Sequence, residues 1–575
     1  MSKAKAEWSQ VNWANVQEKV TKLQHRIYAA SKDKNIVEVV RLQKILVSSY
    51  SARLLAIKRV TQENKGKATP GVDGVKHLDP HERMEMAENL KLDGKASALR
   101  RVEITKPGKK EKRPLGIPTI RDRAKQALAK LALEPEWEAK FEPNSYGFRL
   151  GRSCHDAIQA IELNIRRTCK YLLNADLKGC FDNINHEVLL EKLNAYPAME
   201  NQIRAWLKSG IMEGEPFYTN ESGTPQGGVI SGLLANVALH GLEKHIGNKF
   251  PKFKTRKGQE TGKMKEICEA RVIRYADDFL IIHEDLEVIR AAKVETEKWM
   301  ATIGLKLNEK TTRIAHTLKY INDEKPGFDF LGFHIRTYEV GKHKCGENSN
   351  GKKLMHRTRI RPSDESIKQF RQQVKIILRR GHAQSPSEMI KTYNWYVRGW
   401  ANYFKIGDSS HDTFRKLQND LYQVYLAWGQ KKFSQRGNGY ITKKIFHKSK
   451  YSNWNFGWKD ANYLHLAVTL YEFDYVKHVK VQGDRSPYDG DWKYWVSRRG
   501  KHPLCPKDIR VGLKDQNGRC AHCANIFHVE DKIEVHHIDG NRKNNKTTNK
   551  ALVHLHCHDE IHKTMRSQPE LGLST

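Results

Sequence analysis

The alternation of apolar and polar positions is sharpest in the middle of the chain. Val272-Ile273 and Phe279-Leu280-Ile281-Ile282 are short runs of β-branched, aliphatic and aromatic residues, the composition of buried strands. Between them stand Arg274-Tyr275-Ala276-Asp277-Asp278, where two strands would turn. A third run, Tyr171-Leu172-Leu173-Asn174-Ala175, ends in Asp176 and is stopped by Lys178-Gly179. Val102-Glu103-Ile104-Thr105 alternates with the period of a strand. Pro114-Leu115-Gly116-Ile117-Pro118 returns the chain after a basic turn from Lys106 to Arg113, which predicts a hairpin with a cationic tip. Phe328-Asp329-Phe330-Leu331-Gly332-Phe333-His334-Ile335 reads as an aromatic strand pair.

Elsewhere the period is helical. Residues 14–60 mix Val39, Leu42, Leu46, Leu54 and Ile57 with Lys34, Arg41, Lys44 and Lys58, which predicts a helix pair with a basic face, either merely solvated or gripping RNA. Helices are expected from Ile120 to Trp137, ended near Pro135, and over His155–Arg167, Glu187–Leu193, Ile203–Ile211 and Ile230–Leu242. The basic stretch 250–266 reads as a surface loop, and the Gly- and Lys-rich stretch 341–353 as a linker. Beyond it, Ile390, Tyr393, Val397, Trp400 and Phe404 form one helical stripe, and Leu417, Leu421, Val424, Tyr425 and Trp428 a second. Both are core stripes on helices decorated with Arg and Lys. Tyr440 to Asp474 mixes aromatic and basic residues that suit stacking on unpaired bases, and Trp492 to Pro503 reads as a basic connector.

Charge narrows the partners. Lys and Arg number 101 against 66 Asp and Glu, a net +35, and an excess of that size in a 575-residue chain favours a nucleic acid. At that length roughly four domains of ~150 residues are expected. Of nine cysteines, six (Cys154, Cys169, Cys180, Cys268, Cys345, Cys505) have no spacing pattern, which fits a reducing compartment and excludes a disulfide framework. Met1 to Trp8 lacks the apolar core of a signal peptide, and no apolar run approaches the ~20 residues that span a bilayer. The expectation is a cytoplasmic protein without a membrane partner; an organelle remains compatible.

The chemistry sits in the carboxylates. Adjacent Asp277 and Asp278 repel each other and raise each other's pKa, a cost that a divalent cation offsets; carboxylate oxygens and phosphates suit magnesium. An acidic turn facing solvent is the plainer alternative, and the apolar runs on both sides argue against it. Phosphoryl transfer on two metals needs a further carboxylate, and Asp176 supplies it. Asp176 with Tyr275-Ala276-Asp277-Asp278 resembles the palm of reverse transcriptases. Gly223-Thr224-Pro225-Gln226-Gly227-Gly228, lying between them, resembles the Pro-Gln-Gly segment of that family, so the resemblance gives Gln226 a role in seating the nucleotide. It also implies that Lys106 and Arg113 hold the triphosphate, that Phe181 excludes a 2′-hydroxyl, and that Lys310 neutralises or protonates the leaving pyrophosphate. A solvated lysine is the equal alternative for Lys310, and a core aromatic for Phe181. Ser145 to Ser153 resembles a template-contacting segment, Phe328 to Ile335 the primer grip, and Tyr393 to Phe404 the thumb or maturase domain of group II intron-encoded proteins.

The C-terminal region carries a second chemistry. Cys520-Ala521-His522-Cys523 is followed by Glu534-Val535-His536-His537-Ile538-Asp539 and His554-Leu555-His556-Cys557-His558, a metal-ligand spacing far more specific than one CxxC. It resembles an HNH nuclease. That likeness implies His537 as general base, Asn549 as the residue orienting its loop, and His536, His558 and His562 as ligands of the nuclease metal. Cys520, Cys523 and Cys557 look like structural zinc ligands; His554 stands where a further Cys would fall, and His556 is its rival.

The resemblance therefore implies an α/β multidomain fold: a right-hand polymerase with fingers and palm, an α-helical thumb/maturase domain, and a C-terminal HNH (ββα-metal) module. The expected divisions are 1–140 (N-terminal extension and fingers), 141–345 (palm), 346–480 (thumb/maturase), 481–505 (DNA-binding connector) and 506–575 (HNH). The implied function is RNA-directed DNA polymerase, maturase and target-nicking nuclease, with Mg2+ and Zn2+ as cofactors and intron RNA, double-stranded target DNA and dNTPs as partners. A bacterial reverse transcriptase with a non-intron role, or a splicing factor without polymerase activity, are the alternatives.

Overall fold

A computed structural model of the chain describes residues 7–105, 112–212, 217–218, 223, 227–251, 253–256, 264–267, 269–321, 323–348, 351–461 and 463–567. The N-terminal region forms three helices rather than the expected pair: α1 (Trp13–Lys32), α2 (Ile36–Ser48) and α3 (Tyr50–Lys58). Asn12 and Asn35 start the first two, their side chains accepting from the backbone N–H of Asn15 and Glu38. All three pack on α4 (Ile120–Lys140). That helix does not stop near Pro135 but runs through it. Proline removes the bond to the carbonyl four residues earlier, and Gln24 of α1, itself buried, donates to that carbonyl, Leu131 O, at 3.0 Å.

The centre is a four-stranded antiparallel sheet of β1 (Tyr171–Ala175), β2 (Arg271–Tyr275), β3 (Asp278–His283) and β4 (Arg313–His316), in the order β4-β1-β3-β2. Its alternate residues enter two different cores. Leu173, Val272, Phe279 and Ile281 face the one built with the N-terminal helices and α4. Leu172, Ile273, Leu280 and Ile282 face the one shared with the C-terminal helices. Burial on both faces is why these strands read as unbroken apolar runs.

Four local expectations are corrected. The helix expected over Ile203–Ile211 runs Pro197–Leu207, with proline in its first turn where the missing N–H costs nothing, and Ile211 pairs in parallel with Leu99 as a strand. Ile230–Leu242 is two helices, Ser231–Leu239 and Leu242–Lys249, parted at Gly241 with φ +100°. The stretch expected as a loop contains a hairpin, Phe253–Arg256 against Met264–Ile267. Trp492–Lys501, expected as a connector, is a helix.

Beyond the sheet, α5 (Asp364–Arg380), α6 (Pro386–Phe404) and α7 (Ser410–Lys432) bury both stripes. Their inner contact is a hydrogen bond between the hydroxyls of Tyr393 and Tyr425. Tyr403 donates to Leu331 O at 2.9 Å, tying α6 to the Phe328–Glu339 hairpin. The last module is a hairpin of β5 (Ile533–His537) and β6 (Lys550–His554) followed by α8 (Leu555–Ser567), around its own small core. Among the described residues no helix is long and apolar enough to cross a membrane.

Candidate active sites

The turn between β2 and β3 is two residues long. Tyr275 pairs with Asp278, and Ala276 takes φ +57°. Ala175 pairs with Phe279, so Asp176, one residue further along β1, lies across the antiparallel ladder from Asp278. The three carboxylates thus share one end of the sheet, all half-buried. Burial, then the charges of Asp277 and Asp176, push Asp278 up to about 7. A divalent cation would offset that repulsion, and the donor set suits a hard ion. The triad is an open set: among the described residues, only two groups in the C-terminal module converge to within 4.8 Å of one another.

The turn is held from beneath. Arg274, buried, donates to Asn236 Oδ1 (2.9 Å), Ala276 O (3.1 Å) and Ser145 Oγ (2.7 Å). Asn236 donates in turn to Gly147 O at 2.7 Å. A Cβ on Gly147 would stand 2.4 Å from Ala276 N, so only glycine lets this loop pass under the turn. Asn308 and Thr311 each approach Asp176 Oδ2 at 3.3 Å, and the Asn308 N–H donates to Asp176 O at 2.9 Å. None of these six supporting residues was singled out from the sequence as holding the carboxylates; Ser145, Gly147, Asn308 and Thr311 lie in loops, with no period to mark them.

Around this end, Phe181 is buried and meets Phe148 edge-on, ring centroids 6.0 Å apart. Phe148 is half exposed, whereas Arg149 of the expected template-contacting stretch is buried in a pair with Glu138 at 2.9 Å. Arg149 therefore supports the fold, and Phe148 is the side chain of that stretch which faces outward. Lys310 is exposed. Arg113 lies on the returning strand opposite Ile104, its side chain outside the described residues, as are Lys106 and Gln226.

In the C-terminal module, His536 of β5 meets His558 and His562 of α8. The ring centroids are 5.7, 5.6 and 4.4 Å apart, and Nε2 of His558 and His562 are separated by 3.2 Å. The two helical residues share a face because they are four apart. Burial and the neighbouring His558, His562 and His537 hold His536 below its ordinary pKa, in the neutral form a ligand needs. Its Nδ1 is buried without a partner. His537 follows on the strand, and Asn549 locks the loop after it: Asn549 Nδ2 donates to Asp539 Oδ1 (2.8 Å) and Asn544 O (2.9 Å), and Oδ1 accepts from the Asp539 N–H (3.0 Å).

The second convergent group is Cys520, Cys523, His554 and Cys557; His556 is not in it. Cys523 Sγ lies 3.4 Å from His554 Nδ1. Without a metal the three thiols share hydrogen bonds that hold Cys520 toward its thiolate and Cys557 toward its thiol; a bound metal needs all three as thiolates. Three sulfurs and one imidazole fit tetrahedral zinc. The other ring nitrogen of His554, Nε2, lies 3.2 Å from Asp531 Oδ2.

Comparisons with known proteins follow the same order along the chain. Residues 8–90 match the N-terminal domain of reverse transcriptase, 104–335 the reverse transcriptase (RNA-dependent DNA polymerase) family, and 367–450 the group II intron maturase-specific domain. Group II intron-encoded protein LtrA of Lactococcus lactis subsp. cremoris is 28% identical over 412 residues, covering 60% of this chain and 67% of its own. Protein YkfC of Escherichia coli is 31% identical over 325 residues, 51% of this chain and 83% of its own. Maturase-like protein 1 of Euglena gracilis is 27% identical over 463 residues, 79% and 89% of the two chains. The three matched family ranges end at residue 450.

Proposed function

This chain belongs to the group II intron-encoded proteins, with a reverse transcriptase and a maturase domain, and from that premise we propose that one molecule assists splicing, cuts and copies. In this reading the maturase half binds its own intron RNA and stabilises the splicing-competent form. Asp176, Asp277 and Asp278 would hold magnesium, which would supply Lewis acidity toward the nucleotide's phosphates. The chain does the rest by positioning. Asn308 and Thr311 fix Asp176, Arg274 fixes the turn, and Phe181 under Phe148 leaves no room for a 2′-hydroxyl. Lys106, Arg113 and Gln226 seat the nucleotide, and Lys310 neutralises the departing pyrophosphate. The observation that carries this is the register that sets Asp176 opposite Asp278.

The C-terminal module is read as an HNH nuclease that nicks one strand of double-stranded target DNA. His537 takes the proton from the attacking water. His536, His558 and His562 would hold a divalent ion, which would supply charge stabilisation to the leaving oxygen. Asn549 keeps the loop behind His537 in place, and Cys520, Cys523, Cys557 and His554 hold structural zinc. What supports this is the convergence of the three imidazoles beside His537. The freed 3′ end would then prime copying of the intron RNA.

The test is a target plasmid incubated with the ribonucleoprotein, magnesium and dNTPs. The wild type yields a nicked strand carrying attached cDNA. His537→Ala leaves the strand uncut, whereas Asp277→Ala cuts without extending. A His537→Ala variant that nicks at the wild-type rate overturns the nuclease reading.

A further inference from the structure

The Cys/His cluster is not self-contained. Its outer partner, Asp531, is almost wholly buried, its side chain 8% exposed, and lies in the loop before β5. Besides facing His554 Nε2 at 3.2 Å, the Asp531 carboxylate accepts from the His528 N–H at 2.6 Å and from the side chain of Gln17 on α1. Its backbone carbonyl accepts from Arg499 at 2.6 Å. The residues on both sides continue the grip. Glu530 pairs with Arg59 at 2.5 Å, and Lys532 Nζ donates to Glu63 O at 2.7 Å. Asn525, just past the Cys520–Cys523 turn, donates to Ala14 O at 3.3 Å. The cluster thus sits at a seam with the N-terminal helices, more than 450 residues away along the sequence.

We propose that Asp531 is a positioning residue that couples metal loading at the Cys520/Cys523/His554/Cys557 cluster to docking of the C-terminal module on α1 and on Arg59–Glu63, the turn that follows α3. The inference rests on reading that cluster as a zinc site. A carboxylate on the far ring nitrogen fixes the histidine tautomer so that Nδ1 presents its lone pair to the metal. The same carboxylate is held by Gln17, so whatever orders the ligand orders the seam. Thermodynamic reciprocity then requires that loosening the seam loosens the metal. The consequence for function is geometric: a zinc-loaded module stands at a fixed place relative to the polymerase half that must receive the cut end.

The test uses the full-length chain and two readouts, zinc release to a competing chelator and amide hydrogen exchange. Asp531→Asn holds zinc about 10–100-fold more weakly than the wild type in equilibrium competition with the chelator, the range found when outer partners of metal ligands are lost. Gln17→Ala, which touches no cysteine or histidine of the cluster, also weakens zinc binding. Stripping zinc from the wild type raises exchange in residues 13–20 and 50–63 together with 525–532. If the wild type holds no zinc, the metal reading itself falls and the coupling with it. If it holds zinc, but Asp531→Asn retains it normally or zinc removal leaves the N-terminal helices unchanged in exchange, the coupling alone is wrong.

Discussion

At the scale of single residues, the costly group is Asp278. Burial and the charges of Asp277 and Asp176 raise it from 3.8 to about 7. A carboxyl whose folded pKa lies above its unfolded value adds stability that is complete below the unfolded value and lost as pH rises through the folded one. The metal-free protein therefore carries its full penalty at pH 8. Asp278→Asn should melt several degrees above the wild type at pH 8 without divalent ions, with the gap closing toward pH 4. Magnesium should raise the wild type selectively. Calorimetry across that pH range checks this, and a variant that melts below the wild type at pH 8 contradicts it. Such a carboxylate, retained at a cost to stability, is what a site built for a cation requires.

At the scale of elements, what could be read from the sequence followed burial. The β2 and β3 strands were legible because both faces are covered, and the residues between them were then marked as a turn. The stripes on α6 and α7 were legible for the same reason. What was not legible depended on distant partners. Nothing near Pro135 reveals that Gln24 will satisfy the carbonyl it frees. Asp531 lacks any spacing signal; its only mark is its place between the CxxC and the histidine pair. Nothing in the Ser145–Ser153 stretch marks that its Arg149 will be buried against Glu138. The α4 account has its own test. Gln24→Ala leaves Leu131 O buried and unpartnered, which costs about 1–3 kcal/mol. Urea unfolding of the N-terminal half should show that loss. Replacing Pro135 by alanine in the same background restores the helical bond and should recover part of it; no recovery would mean that Gln24 acts otherwise.

At the scale of the whole molecule, one sheet divides two cores, and its carboxylate end lies where they meet. The N-terminal helices close the seam with the C-terminal module, so residues 14–63 and 525–532 are neighbours in space. A net charge of +35 spread over these parts suits a large structured RNA held across several of them. The account's centre remains the trio Asp176, Asp277 and Asp278. The most direct measurement is single-turnover incorporation of a dNTP on an RNA template–DNA primer in magnesium, comparing the wild type with Asp176→Ala and Asp277→Ala. Loss of several kcal/mol of metal-borne stabilisation corresponds to about a 10³-fold fall for each variant, with primer binding kept. Incorporation by either variant within tenfold of the wild type would contradict the account.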